Sequence, residues 1–210
     1  MNSMTEAAKI GTVDRKLDLQ IGPVQLYAAV EMAVNMLSVN IEQKIVTQVG
    51  TDLWVSGDPL RVRQVLTNLL DNAAKYSPMD GRIEVIAGTT TLSHIGLPDD
   101  QLDVEANPRL PVVLVQVYDE GEGIDAEDQE KIFEKFVRAT RSLTTPVRGS
   151  GLGLFICRRY IEAMGGRLWL QQSIPREGSV FSFYLPRMDA PIEMDKGEEE
   201  DEAESQQEAT

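Results

Sequence analysis

Thiol and imidazole groups are nearly absent from this chain, which has one cysteine, Cys157, and one histidine, His94, in 210 residues. A single cysteine excludes an intrachain disulfide framework and a cysteine-rich metal centre. A single histidine excludes multi-histidine metal sites. No apolar run approaches the roughly 20 residues needed to cross a bilayer, and no basic-then-apolar leader opens the sequence. The expectation is a soluble, cytoplasmic chain without direct membrane insertion, any anchor belonging to a longer parent. Basic residues are also in short supply. Twenty Lys and Arg face 34 Asp and Glu, for a formal charge of −14 and a pI near 4.5. That balance argues against broad nucleic-acid binding and against electrostatic attachment to anionic membranes.

The acid is uneven. Residues 187–210 hold ten of the acidic residues and two of the basic ones, so this stretch carries −8 and the rest −6. It cannot bury much and reads as a disordered acidic tail. Residues 1–14 are weakly patterned and resemble the end of a helix and a linker. The remaining body, 15–186, has apolar residues enough for one core.

Within the body, Lys16–Ile21 alternates apolar and polar, which predicts a short strand. Helical spacing from Pro23 to Val39 predicts a helix. Asp58-Pro59 is an N-cap followed by proline at the first helical position, and Ser77-Pro78 is a stop, so a helix is expected to reach Tyr76. Strands are expected at 44–49, 53–55, 82–90 and 111–119, with a long polar loop over 92–109. A further helix should span 152–164, before a hairpin of 167–172 and 179–185. Three helices among these strands predict an α/β (α+β) two-layer sandwich, with a mixed sheet covered mainly on one face.

Three groups of residues could carry chemistry. Asn68, Asn72 and Lys75 stand at i, i+4 and i+7 beside the apolar stripe of the helix over 59–76. Carboxamide oxygens there could ligate Mg²⁺, and an ammonium could meet phosphate; an ordinary solvated helix edge is equally compatible. The strand over 111–119 delivers Asp119 on the same parity as Val113, Val115 and Val117, toward the covered face. A buried carboxylate there needs a donor, for which a purine amine would serve. Gly121 and Gly123 follow, permitting positive φ and close approach. Gly149-Ser150-Gly151-Leu152-Gly153 opens into a helix and could bind an anion through backbone N–H groups. Phe133 and Phe136 lie between these elements, with Arg138, Arg141 and Arg148 after them. They could anchor a mobile segment and reach phosphate, or simply pack in the core.

The order and spacing of these groups resemble the N, G1, F and G2 boxes of sensor histidine kinases: Asn-x-x-x-Asn-x-x-Lys-Tyr, Asp-x-Gly-x-Gly-Ile, Phe-x-x-Phe, and Gly-x-Gly-Leu-Gly-Leu. The resemblance implies the Bergerat ATP-binding sandwich shared with gyrase and MutL, with a mostly antiparallel sheet and three long helices on one face. It implies ATP and Mg²⁺ as ligands, with Asn72 on the metal and Asn68 and Lys75 ordering phosphates. Tyr76 would lie against adenine and Asp119 would accept from its amino group, with Gly121, Gly123 and Ile124 bordering the base. Phe136 would belong to the lid, and Gly149, Ser150, Gly151, Leu152 and Gly153 would cradle phosphates at its far end. Arg138 would reach the γ-phosphate, completing an implied catalytic set with Asn68 and Lys75. Ser179 matches a hydroxyl near the adenine pocket.

In related ATPases the position of Asn68 is a water-activating glutamate. A carboxamide cannot act as a base at neutral pH, so the resemblance favours phosphoryl transfer over hydrolysis. The implied partners are a histidine-bearing dimerisation hairpin, upstream or in trans, and a response-regulator receiver domain, with no nucleic acid. His94 is followed by Ile-Gly-Leu-Pro and does not match the phosphoacceptor box. The expectation is therefore a catalytic part truncated or encoded apart from its hairpin. An anti-sigma-type serine kinase and a non-catalytic ATP-dependent binding module remain open at this stage.

Overall fold

The computed structural model describes residues 17–37, 42–95, 97, 107–137 and 150–191. In chain order the elements are β1 (Gly22–Gln25), α1 (Leu26–Leu37), β2 (Lys44–Gln48), β3 (Trp54–Gly57), α2 (Pro59–Tyr76), β4 (Arg82–Thr91), β5 (Pro111–Asp119), α3 (Gly153–Ala163), β6 (Arg167–Ile174) and β7 (Gly178–Met188). The strands form one seven-stranded sheet, ordered β1-β3-β7-β5-β4-β2, with β6 also paired to β7. Every pairing is antiparallel except β2 with β4.

Helix α2 organises the core. Asp58 caps it by accepting from the N–H of Leu60 at 2.9 Å and of Arg61 at 3.2 Å, relieving two of the orphan donors of the first turn. The second carboxylate oxygen accepts from Gln20 N at 2.9 Å, which ties the segment leading into β1 to the same cap. Val62, Val65, Leu66, Leu69, Leu70 and Ala73 are all buried, and complete burial of a Val or Leu side chain is worth about 1.5–3 kcal/mol. They pack with Leu26, Val30 and Ala33 of α1, Ile156 and Ile161 of α3, and Val113, Val115, Val117 and Phe183 of the sheet.

Two expectations shift at the start of the chain. Residues 17–21 are not a strand; the strand is Gly22–Gln25, and the helix begins at Leu26 instead of Pro23. Leu17 and Leu19 alternate because they pack against the core from unpaired backbone. Pro23 is tolerated in β1 because β1 is the edge of the sheet, where one row of N–H groups needs no partner. At the other end, β7 runs two residues into the predicted tail, pairing Arg187 with Val55 and Met188 with Trp54.

The sheet is also less one-sided than its alternation suggests. Leu92, Ile95, Val112, Trp169 and Tyr184 form a second buried cluster, joined by Leu97, Leu110 and Leu114. The beginning and end of the predicted 92–109 loop are hydrogen-bonded together, Leu92 N to Leu110 O at 3.3 Å and Ser93 N to Pro108 O at 3.0 Å. Their apolar side chains cover the face of β5 opposite Val113 and Val115. Residues 1–16, 138–149 and 192–210, and with them the predicted linker, most of the lid and most of the tail, lie outside the described residues.

Candidate functional site

The site is built where β5, β7 and β6 run side by side. Asp119 ends β5 and pairs with Ser179 of β7; Ser179 pairs in turn with Ser173 of β6. These three polar residues form one row across the sheet. Asp119 Oδ1 accepts from the backbone N–H of Gly121 at 2.9 Å and of Ser179 at 3.2 Å. Both hydrogen bonds from described residues fall on Oδ1, which leaves Oδ2 as an acceptor for something else. Burial pushes this carboxyl up from 3.8 to about 6, against the opposing pull of the two N–H groups. A desolvated carboxylate with a spare oxygen is a specific partner for an N–H donor.

The loop after Asp119 is held close. A Cβ on Gly121 would stand 2.7 Å from Asp119 Oδ1 and 2.9 Å from Tyr76 O, so only glycine allows β5 to end against the last turn of α2. Gly123 adopts φ +67°. Both backbone groups of Ile124 are taken by side chains. Its N–H donates to Ser173 Oγ at 2.8 Å, and its carbonyl accepts from Gln129 Nε2 at 3.0 Å. Ser173 Oγ also lies 2.9 Å from Ser179 Oγ.

On α2, Asn68 is half-buried and donates Nδ2 to Cys157 Sγ of α3 at 3.4 Å. Its Cγ lies 4.0 Å from where a Cβ of Gly153 would be, so the first turn of α3 faces this carboxamide. Helix N-terminal N–H groups favour an anion at such a place. Asn72 is half-buried one turn further on. The Lys75 ammonium, two turns on from Asn68, is turned back to an ion pair with Asp71. Lys75 and Asp71 line a cleft of about 460 Å³ with Met36, Leu37, Gln43 and Met79. The structure thus joins Asn68 to α3 and leaves Lys75 engaged beside α1.

The two phenylalanines have separate fates. Phe133 is buried, edge-on to Phe181 at 6.4 Å, with the Arg158 guanidinium 3.7 Å from its ring centroid. Phe136 is 65% exposed and sits at φ +64°, so only the first is an anchor. A further tie comes from Lys135 over the Phe155 ring at 4.9 Å. Phe136 N donates to Gly151 O at 2.9 Å, which brings the two flanks of 138–149 together. Gly151, at φ +67°, has no room for a Cβ, which would lie 2.8 Å from the Phe136 carbonyl carbon. Ser150 is exposed, and Leu152 is wholly buried in the core. Arg138, Arg141, Arg148 and Gly149 lie outside the described residues. His94 is exposed, its Nδ1 2.8 Å from Thr91 Oγ1 and 3.0 Å from Ser93 Oγ.

The model of the histidine kinase-, DNA gyrase B- and HSP90-like ATPase family matches residues 57–189, from the cap of α2 to the end of β7. The chain belongs to this family. This histidine kinase-like ATPase chain is 36% identical over 175 residues to the adaptive-response sensory kinase SasA of Thermosynechococcus vestitus, covering 81% of this chain and 40% of SasA. It is 33% identical over 135 residues to the sensor histidine kinase WalK of Bacillus subtilis, covering 64% of this chain and 19% of WalK. Among solved structures, the catalytic domain of the histidine kinase ThkA superposes with a TM-score of 0.62 at 26% identity, over 80% of this chain and 97% of that one. Full-length ShkA in complex with AMPPNP superposes with a TM-score of 0.64 at 25% identity, over 90% of this chain and 35% of ShkA. The chain therefore spans less than half the length of these curated relatives. These likenesses bear out the expected sandwich and the family's ATP-binding character.

Sequence reasoning missed Ser173, Gln129 and Cys157. For Ser173 the alternation from Leu168 and Leu170 points to the wrong face, and the bulge between Leu170 and Gln172 corrects it. For Cys157 and Gln129 no local pattern marks the contact, because each partner is brought in by tertiary packing.

Proposed function

We propose that this chain is the ATP-binding catalytic part of a two-component sensor histidine kinase and works in the cytoplasm. It moves the γ-phosphoryl group of ATP to a histidine on a dimerisation hairpin, in the same polypeptide or in another, from which a receiver domain takes it. The observation that carries this reading is Asp119. Its carboxylate is desolvated and held on one oxygen by Gly121 and Ser179, with the other oxygen left to accept from the amino group of adenine. Gly121, Gly123, Ile124, Ser179 and Tyr76 border that base. The similarity to ShkA, solved with AMPPNP, supports a nucleotide at this place.

The triphosphate would then extend toward the N-terminus of α3, where Asn68 faces Gly153 and backbone donors of Gly149, Ser150, Gly151, Leu152 and Gly153 would meet phosphate. Lys75 leaves Asp71 to meet phosphate, and Arg138 does so from the lid, while Phe136 travels with that lid. Asn72 would hold Mg²⁺, whose role is to neutralise charge between phosphates. Among the described residues no cluster of three or more His, Cys, Asp or Glu could form a metal cage. An amide oxygen such as that of Asn72 is a ligand type that would suit this hard cation. The acceptor imidazole nitrogen attacks the γ-phosphorus; a P–N bond forms as the bond to the ADP oxygen breaks, and the ring proton goes to solvent. Asn68 cannot take a proton from water, so positioning and charge neutralisation carry the reaction.

The test is incubation with γ-labelled ATP, Mg²⁺ and a separately produced histidine-bearing hairpin. Acid-labile label on the hairpin, lost with Asp119→Ala, is expected. Nucleotide binding without transfer to any hairpin, or base-labile phosphoserine instead, would overturn the histidine kinase assignment.

A further inference from the structure

We infer that Ser173, assisted by Gln129, is the positioning residue that makes the site selective for adenine. The inference rests on the reading above that Asp119 receives the base. Along β6, Leu168 and Leu170 belong to the main core, so regular alternation would give that face to Gln172 and Ile174. The register instead slips between Leu170 and Gln172, where one extra residue enters β6 opposite β7. A bulge of this kind changes which side chains face inward and recurs beside functional sites. Here it brings Ser173 onto the face of Leu170, Phe181 and Ser179, in the row that ends at Asp119.

From that place the Ser173 hydroxyl accepts from Ile124 N at 2.8 Å and reaches Ser179 Oγ at 2.9 Å and Gly178 O at 3.4 Å. Gln129 Nε2 donates to Ile124 O at 3.0 Å and to Ser173 O at 3.4 Å. The glycine loop from Gly121 to Ile124 already lies against β6 and the turn after it, with Arg176 N donating to Glu122 O at 2.8 Å and Ile124 packed on the core. The Ser173 and Gln129 side chains fix its far end to the same strand pair that supplies the Ser179 N–H to Asp119. They therefore set the separation between the loop that borders the base and the carboxylate that reads its amino group. Neither Ser173 nor Gln129 needs to touch the nucleotide. A change in that separation weakens recognition of a six-amino purine and leaves phosphate contacts near α3 intact.

The experiment compares ADP with inosine diphosphate, which carries an oxo group in place of the amine, by fluorescence or calorimetric titration. Wild type is expected to prefer ADP. Ser173→Ala is expected to lower ADP affinity by about tenfold, the worth of one or two hydrogen bonds, with inosine diphosphate affinity unchanged. Ser173→Thr, which keeps the hydroxyl, is expected to retain the preference. Gln129→Ala, which leaves Ser173 in place, is expected to reduce it in the same direction. An unchanged ADP preference in both Ser173→Ala and Gln129→Ala, or an equal loss for both nucleotides, would overturn the inference while leaving the kinase reading intact. Wild type that binds neither nucleotide would overturn the kinase reading itself.

Discussion

Asn68 on α2 donates its carboxamide Nδ2 to the thiol of Cys157 on α3, at 3.4 Å. The contact joins two of the helices that border the site and engages one end of the Asn68 amide. This hydrogen bond pulls the thiol pKa downward, but burial outweighs it. Burial pushes the thiol up to about 12, so the nucleophilic thiolate is absent near neutral pH. Native protein is expected to take up no iodoacetamide at about pH 8, and unfolded protein to take it up at this one cysteine. Rapid labelling of the native chain, read by mass spectrometry, would contradict the burial.

Asp119 makes stability depend on pH in a defined direction. Its carboxyl is raised from 3.8 to about 6 in the fold. The stability gained by keeping it neutral is complete below the unfolded value and is lost as pH rises through about 6. Asp119→Asn removes this titration. The variant is expected to gain on wild type between about pH 4 and pH 7, by up to about 3 kcal/mol, while losing adenine nucleotide binding. Urea unfolding of both proteins at several pH values checks this, and a pH-independent difference would count against it.

Under the proposed reading, in which Asp119 receives the adenine amino group, the same group sets ligand affinity. Only the carboxylate form offers Oδ2 as a full acceptor, so ADP affinity is expected to fall as pH drops below about 6. Titrations at constant ionic strength read this directly, and a flat profile between about pH 5 and pH 7 would argue against Asp119 as the receiving group.

Much of this was legible beforehand. Asp58-Pro59 and Ser77-Pro78 mark α2 because capping and proline chemistry are local. β4 and β5 are read from alternation that one buried face imposes. What escaped depends on tertiary context. Leu17 and Leu19 alternate without strand pairing, since packing alone imposes the pattern. Ser173 faces inward only because of the bulge before it. Phe133 and Phe136 are equivalent as letters, and only the backbone turn at Phe136 separates a core residue from an exposed one.

That separation is measurable. Phe133→Ala is expected to cost about 3–5 kcal/mol, as for other buried aromatics. Phe136→Ala is expected to stay within about 0.5 kcal/mol of wild type. Denaturant unfolding of the two variants decides the matter, and similar losses in both would place Phe136 in the core.

His94 sits in the turn after β4, bonded to Thr91 and Ser93 on the side of the second apolar cluster. Incubation of the chain alone with γ-labelled ATP is expected to leave His94 unlabelled. Label that disappears with His94→Ala would show an acceptor role that the turn gives no reason to expect.

The closed neck of that same segment has a practical consequence. Its two sides are already stitched by the Leu92–Leu110 and Ser93–Pro108 hydrogen bonds and by the apolar cluster beneath them. The entropy of bringing the ends together is thus met by the neck itself, and it grows only logarithmically with added length. A fluorescent protein or an affinity handle spliced in between Leu97 and Asn107 is therefore expected to leave the flanking neck closed. A reporter inserted there would leave both termini, and the row from Asp119 to Ser173, untouched.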